Sequence, residues 1–332
     1  MKRALIGLLV TALIVGGSAP VEAYLKLGAR VAGRTVTLRW GGFPVRYFVT
    51  DRSATGVSAP QVQQAIARAF ASWQAIDSAQ ISAEFVGFTT ANPVSNDGRT
   101  TLGFVNRPDL DRVLGATSFT LDDVTGDVVE SDIFFNSLFD WSVAPNGEAN
   151  RFDLESIAVH EVGHLLGLAH SALGETEVRP GGRRVLGSEA VMFPVAFSAG
   201  TIQGRAIKAD DIAGLSDIYP DDEFRRNTGS VSGRVTKSGQ GVIGAHVTAY
   251  NPKTGRLVAS FSLSDDGSFT IAGLEPGPHV LRVEPLDDGD IESFFDATLG
   301  VDLNFRPTFY ERLVVVPRGG GTRNADIVVQ PK

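Results

Sequence analysis

His160-Glu161-Val162-Gly163-His164-Leu165-Leu166-Gly167-Leu168-Ala169-His170 holds three of the five histidines in this 332-residue chain. Residues four apart share one face of a helix, so His160 and His164 can aim their imidazoles at a common point, with Glu161 projecting beside them. Asp153 supplies a cap, and Leu154, Ile157, Ala158, Val162 and Leu165 give the helix an apolar face running to Gly167. A glycine there lets the chain turn back and bring His170 to the same point, which a continuing helix would not do. Three neutral nitrogens leave the fourth position of a tetrahedral Zn2+ ion open, the arrangement of a catalytic rather than a structural zinc. The spacing therefore predicts metal ligands at His160, His164 and His170, with Glu161 as a general base.

Composition narrows the remaining chemistry. A net charge of -8 and a pI near 5.2 speak against nucleic acid or an anionic membrane as partner, since either needs clustered Lys and Arg. With no cysteine, thiolate ligands, disulfides and cysteine nucleophiles are excluded. Residues 1–23 read as an export signal: Lys2 and Arg3, an apolar run from Ala4 to Val15, and Val21-Glu22-Ala23 at a cleavage site. The run is shorter than the roughly 20 residues that span a bilayer, so a secreted chain, extracellular or periplasmic and without membrane insertion after cleavage, is expected to begin near Tyr24.

Outward from the motif, alternating apolar residues mark strands at 36–40 and 45–49, near 81–85 and at 102–105, 116–121 and 128–135. Ser58-Ala59-Pro60-Gln61 opens a helix whose Val62, Ala65, Ile66, Ala69, Phe70 and Trp73 recur on one face. A further helix spans about Lys208 to Tyr219, and Arg179-Pro180-Gly181-Gly182-Arg183-Arg184 reads as an exposed surface loop. The first unit, 24–222, is thus mixed α and β. After a polar linker at 223–229, short β-branched runs separated by Gly, Asp and Pro turns predict an all-β antiparallel sandwich over 230–332.

With these features in place, the motif resembles the metzincin zinc signature, and His170-Ser171 after Gly-Leu-Ala is similar to its matrixin branch. The resemblance covers about Arg39 to Pro220. It implies an α+β catalytic domain with a twisted, mostly parallel sheet and an active-site helix, acting as a zinc endopeptidase on proteins or peptides. Val191-Met192-Phe193-Pro194 resembles the methionine turn beneath the metal, which makes Met192 a structural residue. The resemblance further implies an extended substrate along an edge strand at Gly115 to Phe119 and a pocket wall from Val191 to Ala199. It also implies Ca2+ near Asp122-Asp123-Val124-Thr125-Gly126-Asp127, whose oxygens surround a glycine turn.

Two departures matter. No histidine precedes His160 to hold the second, structural zinc of animal matrixins, and no cysteine exists for the prodomain switch that keeps them latent. Downstream, Ser232-Gly233-Arg234-Val235, Gly244 to Thr248, Asp266 to Thr270 and Leu274 to Pro278 resemble the carboxypeptidase regulatory-like domain, a transthyretin-like sandwich. There His246 and His279 read as ordinary strand residues, and a surface or matrix ligand is the partner such a module implies. Two other functions compete with the protease: a surface adhesion protein with an inactive metzincin-like domain, and a zinc hydrolase of non-peptide amides.

Overall fold

Burial along the strands follows the patterning of the first half, as in Val45–Thr50, where Val45, Tyr47 and Val49 turn inward while Arg46 stays exposed. The computed structural model describes residues 26–31, 33–180, 182–287, 289–295 and 299–332; the export signal expected over 1–23 lies outside these residues. Five strands form a sheet in the order Ala83–Thr89, Val45–Thr50, Thr100–Val105, Val128–Asn136, Gly115–Leu121. The first four run parallel, and Gly115–Leu121 lies antiparallel at one edge.

Helix α1 (Ala59–Gln74) begins where the Gln61 side-chain oxygen accepts the Ser58 backbone N–H at 2.9 Å. It buries Val62, Ala65, Ile66, Ala69, Phe70 and Trp73, the apolar face visible in the sequence. Helix α2 (Leu154–Leu165) is capped by Asp153, whose carboxylate accepts the Ser156 N–H at 2.9 Å. The two helices share one core with the sheet, and the Trp73 indole N–H donates to the Val159 carbonyl at 2.9 Å, locking α1 against α2.

Two local expectations change. The run expected as a strand at 36–40 is a short hairpin, Gly28–Val31 with Arg34–Thr37, and Trp40 makes only an isolated bridge to Val128. The run expected as a loop around Arg179 is the tip of a second hairpin, Gly174–Arg179 with Gly182–Ser188. Its strands pair Thr176 with Val185 and Val178 with Arg183, so alternating β-branched residues outweigh the Pro-Gly-Gly signal except at the turn itself.

Helix α3 (Ala209–Ile218) ends the first half, and the stretch expected as a linker contains a helical turn, Phe224–Asn227, with Phe224 buried. Beyond it the chain is β-rich, as expected. One sheet holds Gln240–Gly241, Gly229–Lys237 and Ser268–Leu274; the other holds Leu257–Phe261, His246–Tyr250, Gly277–Glu284 and Thr308–Phe309. Gly229–Lys237 also pairs in parallel with Gly321–Thr322 and Ile327–Val329, so this sandwich is not purely antiparallel. A parallel pair needs a long crossover, which the chain from Val242 to Gly320 provides.

The two halves share buried surface. Ala213 of α3 belongs to the sandwich core, and a further cluster joins Leu27, Val31, Leu38, Leu121 and Val128 with Phe261, Leu286, Phe294 and Phe295. Among the described residues no helix is long and apolar enough to cross a membrane.

Candidate metal centre

Gly167 ends α2 as its spacing suggests, with a left-handed φ of 99° and a Cα so close to the Leu38 carbonyl that a Cβ would lie 2.3 Å from its oxygen. The chain reverses there and brings His170 back to the helix. The Nε2 atom of His164 lies 3.1 Å from that of His160 and 3.2 Å from that of His170.

These close approaches are not hydrogen bonds. Each Nδ1 meets a backbone carbonyl: His160 that of Val191 at 2.8 Å, His164 that of Leu168 at 2.8 Å, and His170 that of Ser293 at 2.5 Å. A carbonyl only accepts, so every Nδ1 carries the proton and every Nε2 presents a lone pair. Burial, first among the causes, pushes all three imidazoles below their ordinary pKa, that of His170 to about 3, which keeps them neutral. Three converging lone pairs repel unless a cation sits among them. Nitrogens of a tetrahedral zinc at about 2.0–2.1 Å stand about 3.3 Å apart, close to the separations found here. The donor set therefore fits zinc, and among the described residues it is the one group of three histidines or carboxylates close enough to share an ion.

Glu161 is buried beside the histidines, and its Oε2 accepts the Thr117 hydroxyl at 2.7 Å. Burial raises its carboxyl to about 7, opposed by that hydrogen bond. Thr117 lies on the edge strand Gly115–Leu121. Gly115 of the same strand leaves room for the acid, since a Cβ there would stand 3.1 Å from Glu161 Oε1.

Met192 is buried under α2, where a Cβ on Gly163 would lie 2.3 Å from its sulfur. The turn carrying it is held from α3: the Asp211 carboxylate accepts the N–H groups of Val191 at 2.9 Å and Met192 at 3.2 Å. The Val191 carbonyl then receives His160, so α3 reaches the metal centre through one peptide unit. An open cleft over the histidines is walled by Val191, Phe193, Pro194, Val195 and Phe197 on one side and Leu114 and Gly115 on the other.

Sequence reading missed Thr117, Asp211 and the Ser293 carbonyl. Asp211 lay inside a segment assigned to α3 without a role, and a backbone carbonyl leaves no signal in residue identity. The Asp122 carboxylate accepts the N–H groups of Val124 and Thr125 at 2.9 and 2.8 Å, and Asp127 faces Arg39 at 3.7 Å. His246 meets Glu284 at 3.5 Å and His279 the Gly277 carbonyl at 3.1 Å, and neither belongs to the three-histidine group.

A fold of mixed α and β with a three-histidine centre at the end of a helix defines a class of metallohydrolases. Within it the matrixin family model matches residues 39–220, more than half of the sequence, and this chain belongs to the matrixin family. The carboxypeptidase regulatory-like domain matches residues 230–287. Metalloendoproteinase 5-MMP of Arabidopsis thaliana is 36% identical over 107 residues, which cover 30% of this chain and 25% of that protein. Metalloendoproteinase 1 of Glycine max is 32% identical over 176 residues, covering 47% and 45% respectively. Metalloendoproteinase 4-MMP of Arabidopsis thaliana is 27% identical over 185 residues, covering 52% and 44%. The chain thus spans less than half the length of each of these relatives.

Proposed function

We propose that this protein is a secreted zinc-dependent endopeptidase that hydrolyses peptide bonds in extracellular proteins, with His160, His164 and His170 as metal ligands and Glu161 as general base. The observation that carries this reading is the convergence of three imidazole lone pairs beside a buried carboxylate on the floor of an open cleft. Zinc held there supplies Lewis-acid chemistry, polarising a carbonyl and acidifying water.

Glu161 takes the proton of the attacking water and returns it to the leaving amine. Thr117 holds Oε2, which leaves Oε1, next to the side-chain-free Gly115, to move the proton. Burial raises the acid's proton affinity and so suits it to that exchange. The outer edge of Gly115–Leu121 offers unpaired backbone groups to an extended substrate, which would add to the sheet as a strand and lay one side chain along Val191, Phe193 and Val195. Met192 serves as the apolar floor under α2. A Ca2+ ion at the Asp122–Asp127 turn would take Asp122 through Oδ2, since the Val124 and Thr125 amides both donate to Oδ1.

The test incubates the full chain and its Glu161→Ala variant with a protein mixture, with and without a zinc chelator, and identifies new termini. Wild type should cut internally, chelation should abolish cutting, and Glu161→Ala should lower the rate by roughly 10²–10⁴-fold while retaining zinc. A wild type that cuts nothing would leave a binding protein built on a matrixin scaffold; hydrolysis of small amides alone would mark a non-peptide hydrolase.

A further inference from the structure

Two of the three histidines are held by the matrixin region itself. His160 and His164 stand on α2, and their Nδ1 partners, Val191 and Leu168, lie close by in the same half of the chain. His170 differs on both counts. It follows Gly167 in irregular backbone, and its Nδ1 partner is the carbonyl of Ser293, 123 residues away on the short helical turn Ile291–Ser293.

That turn is firmly seated. It follows the last long strand of the sandwich, and the next two residues, Phe294 and Phe295, have no exposed surface. Phe294 sets its ring edge-on to the His170 imidazole at 6.2 Å between centroids. Phe261 of the sandwich packs against Phe295 at 4.9 Å and against Phe294 at 6.2 Å. On the outer side, Arg183 of the Gly174–Ser188 hairpin donates to the Asp287 carbonyl at 3.3 Å and faces the Asp290 carboxylate at 3.8 Å. The carbonyl of Ser293 is thereby pinned from a sandwich strand on one side and from the Gly174–Ser188 hairpin on the other.

We propose that the second domain completes the metal centre: the segment 289–295 is a positioning element that holds His170 in its ligating orientation through the Ser293 carbonyl. A ring on a single Cβ–Cγ bond has a broad torsional preference, and no helix restrains His170. A hydrogen bond from Nδ1 selects both the tautomer and the ring flip, so Nε2 faces the other two nitrogens. Without it the third ligand samples orientations in which Nδ1 or a C–H edge faces the ion. The proposal rests on the reading of the three histidines as a zinc site.

Two measurements on the full chain test it. In zinc-loaded protein labelled with 15N-histidine, the Nδ1 proton of His170 should exchange with solvent as slowly as those of His160 and His164; fast exchange at His170 alone overturns the proposal. Competition with a chelator then compares zinc affinity in wild type, Phe294→Ala, Phe294→Leu and Phe269→Ala, the last a cut in the sandwich's own core. Phe294→Ala should bind zinc roughly 10–100-fold more weakly, in the range found when outer partners of metal ligands are removed. Phe294→Leu should recover most of that loss, and Phe269→Ala should stay near wild type. Equal zinc affinity in wild type and a folded Phe294→Ala overturns the positioning role while leaving the zinc site intact. A wild type that binds no zinc refutes the underlying reading instead.

Discussion

The glycine between the two helical histidines shows how much of this site is decided by single residues. Gly163 sits in the last turn of α2, where glycine is up to about 1 kcal/mol less favourable than alanine. Its Cα backs onto Met192 and Trp73: a Cβ would stand 2.3 Å from the methionine sulfur and 2.8 Å from the indole ring. Methionine can adjust, but Trp73 of α1 has no exposed surface and its N–H is tied to Val159 of α2. Overpacking of this kind costs about 1–3 kcal/mol, which exceeds the helical gain over most of its range. Gly163→Ala is therefore expected to lower the stability of the metal-free protein by up to about 2 kcal/mol in chemical denaturation. A variant as stable as wild type would show that Met192 is not packed tightly under α2. That the three histidines come together was legible in residue identity because its logic is local: a four-residue spacing on one helix and a glycine where the chain must reverse.

Helix α3 illustrates what one element does that its sequence does not announce. Two adjacent acids in its first turn face opposite ways. Asp211 accepts the N–H groups of Val191, Met192 and Lys208, while Asp210 accepts the Ser171 hydroxyl at 2.6 Å and the Ala259 N–H at 2.9 Å. Charge at a helix N-terminus is favourable, but both groups are buried, and burial followed by the repulsion of Asp210 raises Asp211 to about 7. The folded state then holds a proton that the unfolded state releases between about pH 4 and 7. Stability from this group is complete below about pH 4 and declines as pH rises through about 7. Denaturation of the metal-free protein at pH 5 and pH 8 should show a larger loss for wild type than for Asp211→Asn; an equal loss in both would place the carboxyl's pKa near its ordinary value. Both acids are plain in the sequence, as is the helix. Their partners are not, because Val191, Ser171 and Ala259 meet them only after the chain has crossed the molecule. The Gly174–Ser188 hairpin eluded reading for the opposite reason: three strong turn residues at its tip outweighed the weak alternation of its strands.

At the scale of the molecule, the sequence divides more sharply than the structure. Composition changes near residue 229, and separate family descriptions apply to 39–220 and 230–287, yet the buried surface does not respect that division. Leu27, Val31, Leu38, Leu121 and Val128 share a cluster with Phe261, Phe294 and Phe295, and Ala213 lies in the sandwich core. Some of these residues, such as Leu27 and Phe261, stand more than two hundred positions apart, and all of these contacts cross between the halves, so no periodicity within either half could foretell them. Coupling of this extent predicts that the metal-free chain unfolds in one calorimetric transition, with the measured enthalpy equal to the van 't Hoff value. Phe261→Ala probes it directly, because Phe261 belongs to a sandwich strand by sequence but packs in the shared cluster. Removing a buried phenylalanine costs about 3–5 kcal/mol, and in a coupled molecule that loss lowers the single transition by several degrees without splitting it. Two transitions, of which only the sandwich's responds, would mean that the halves merely abut. The hold of Ser293 on His170 would then lapse whenever the sandwich melts, and zinc would be lost at the lower of the two temperatures.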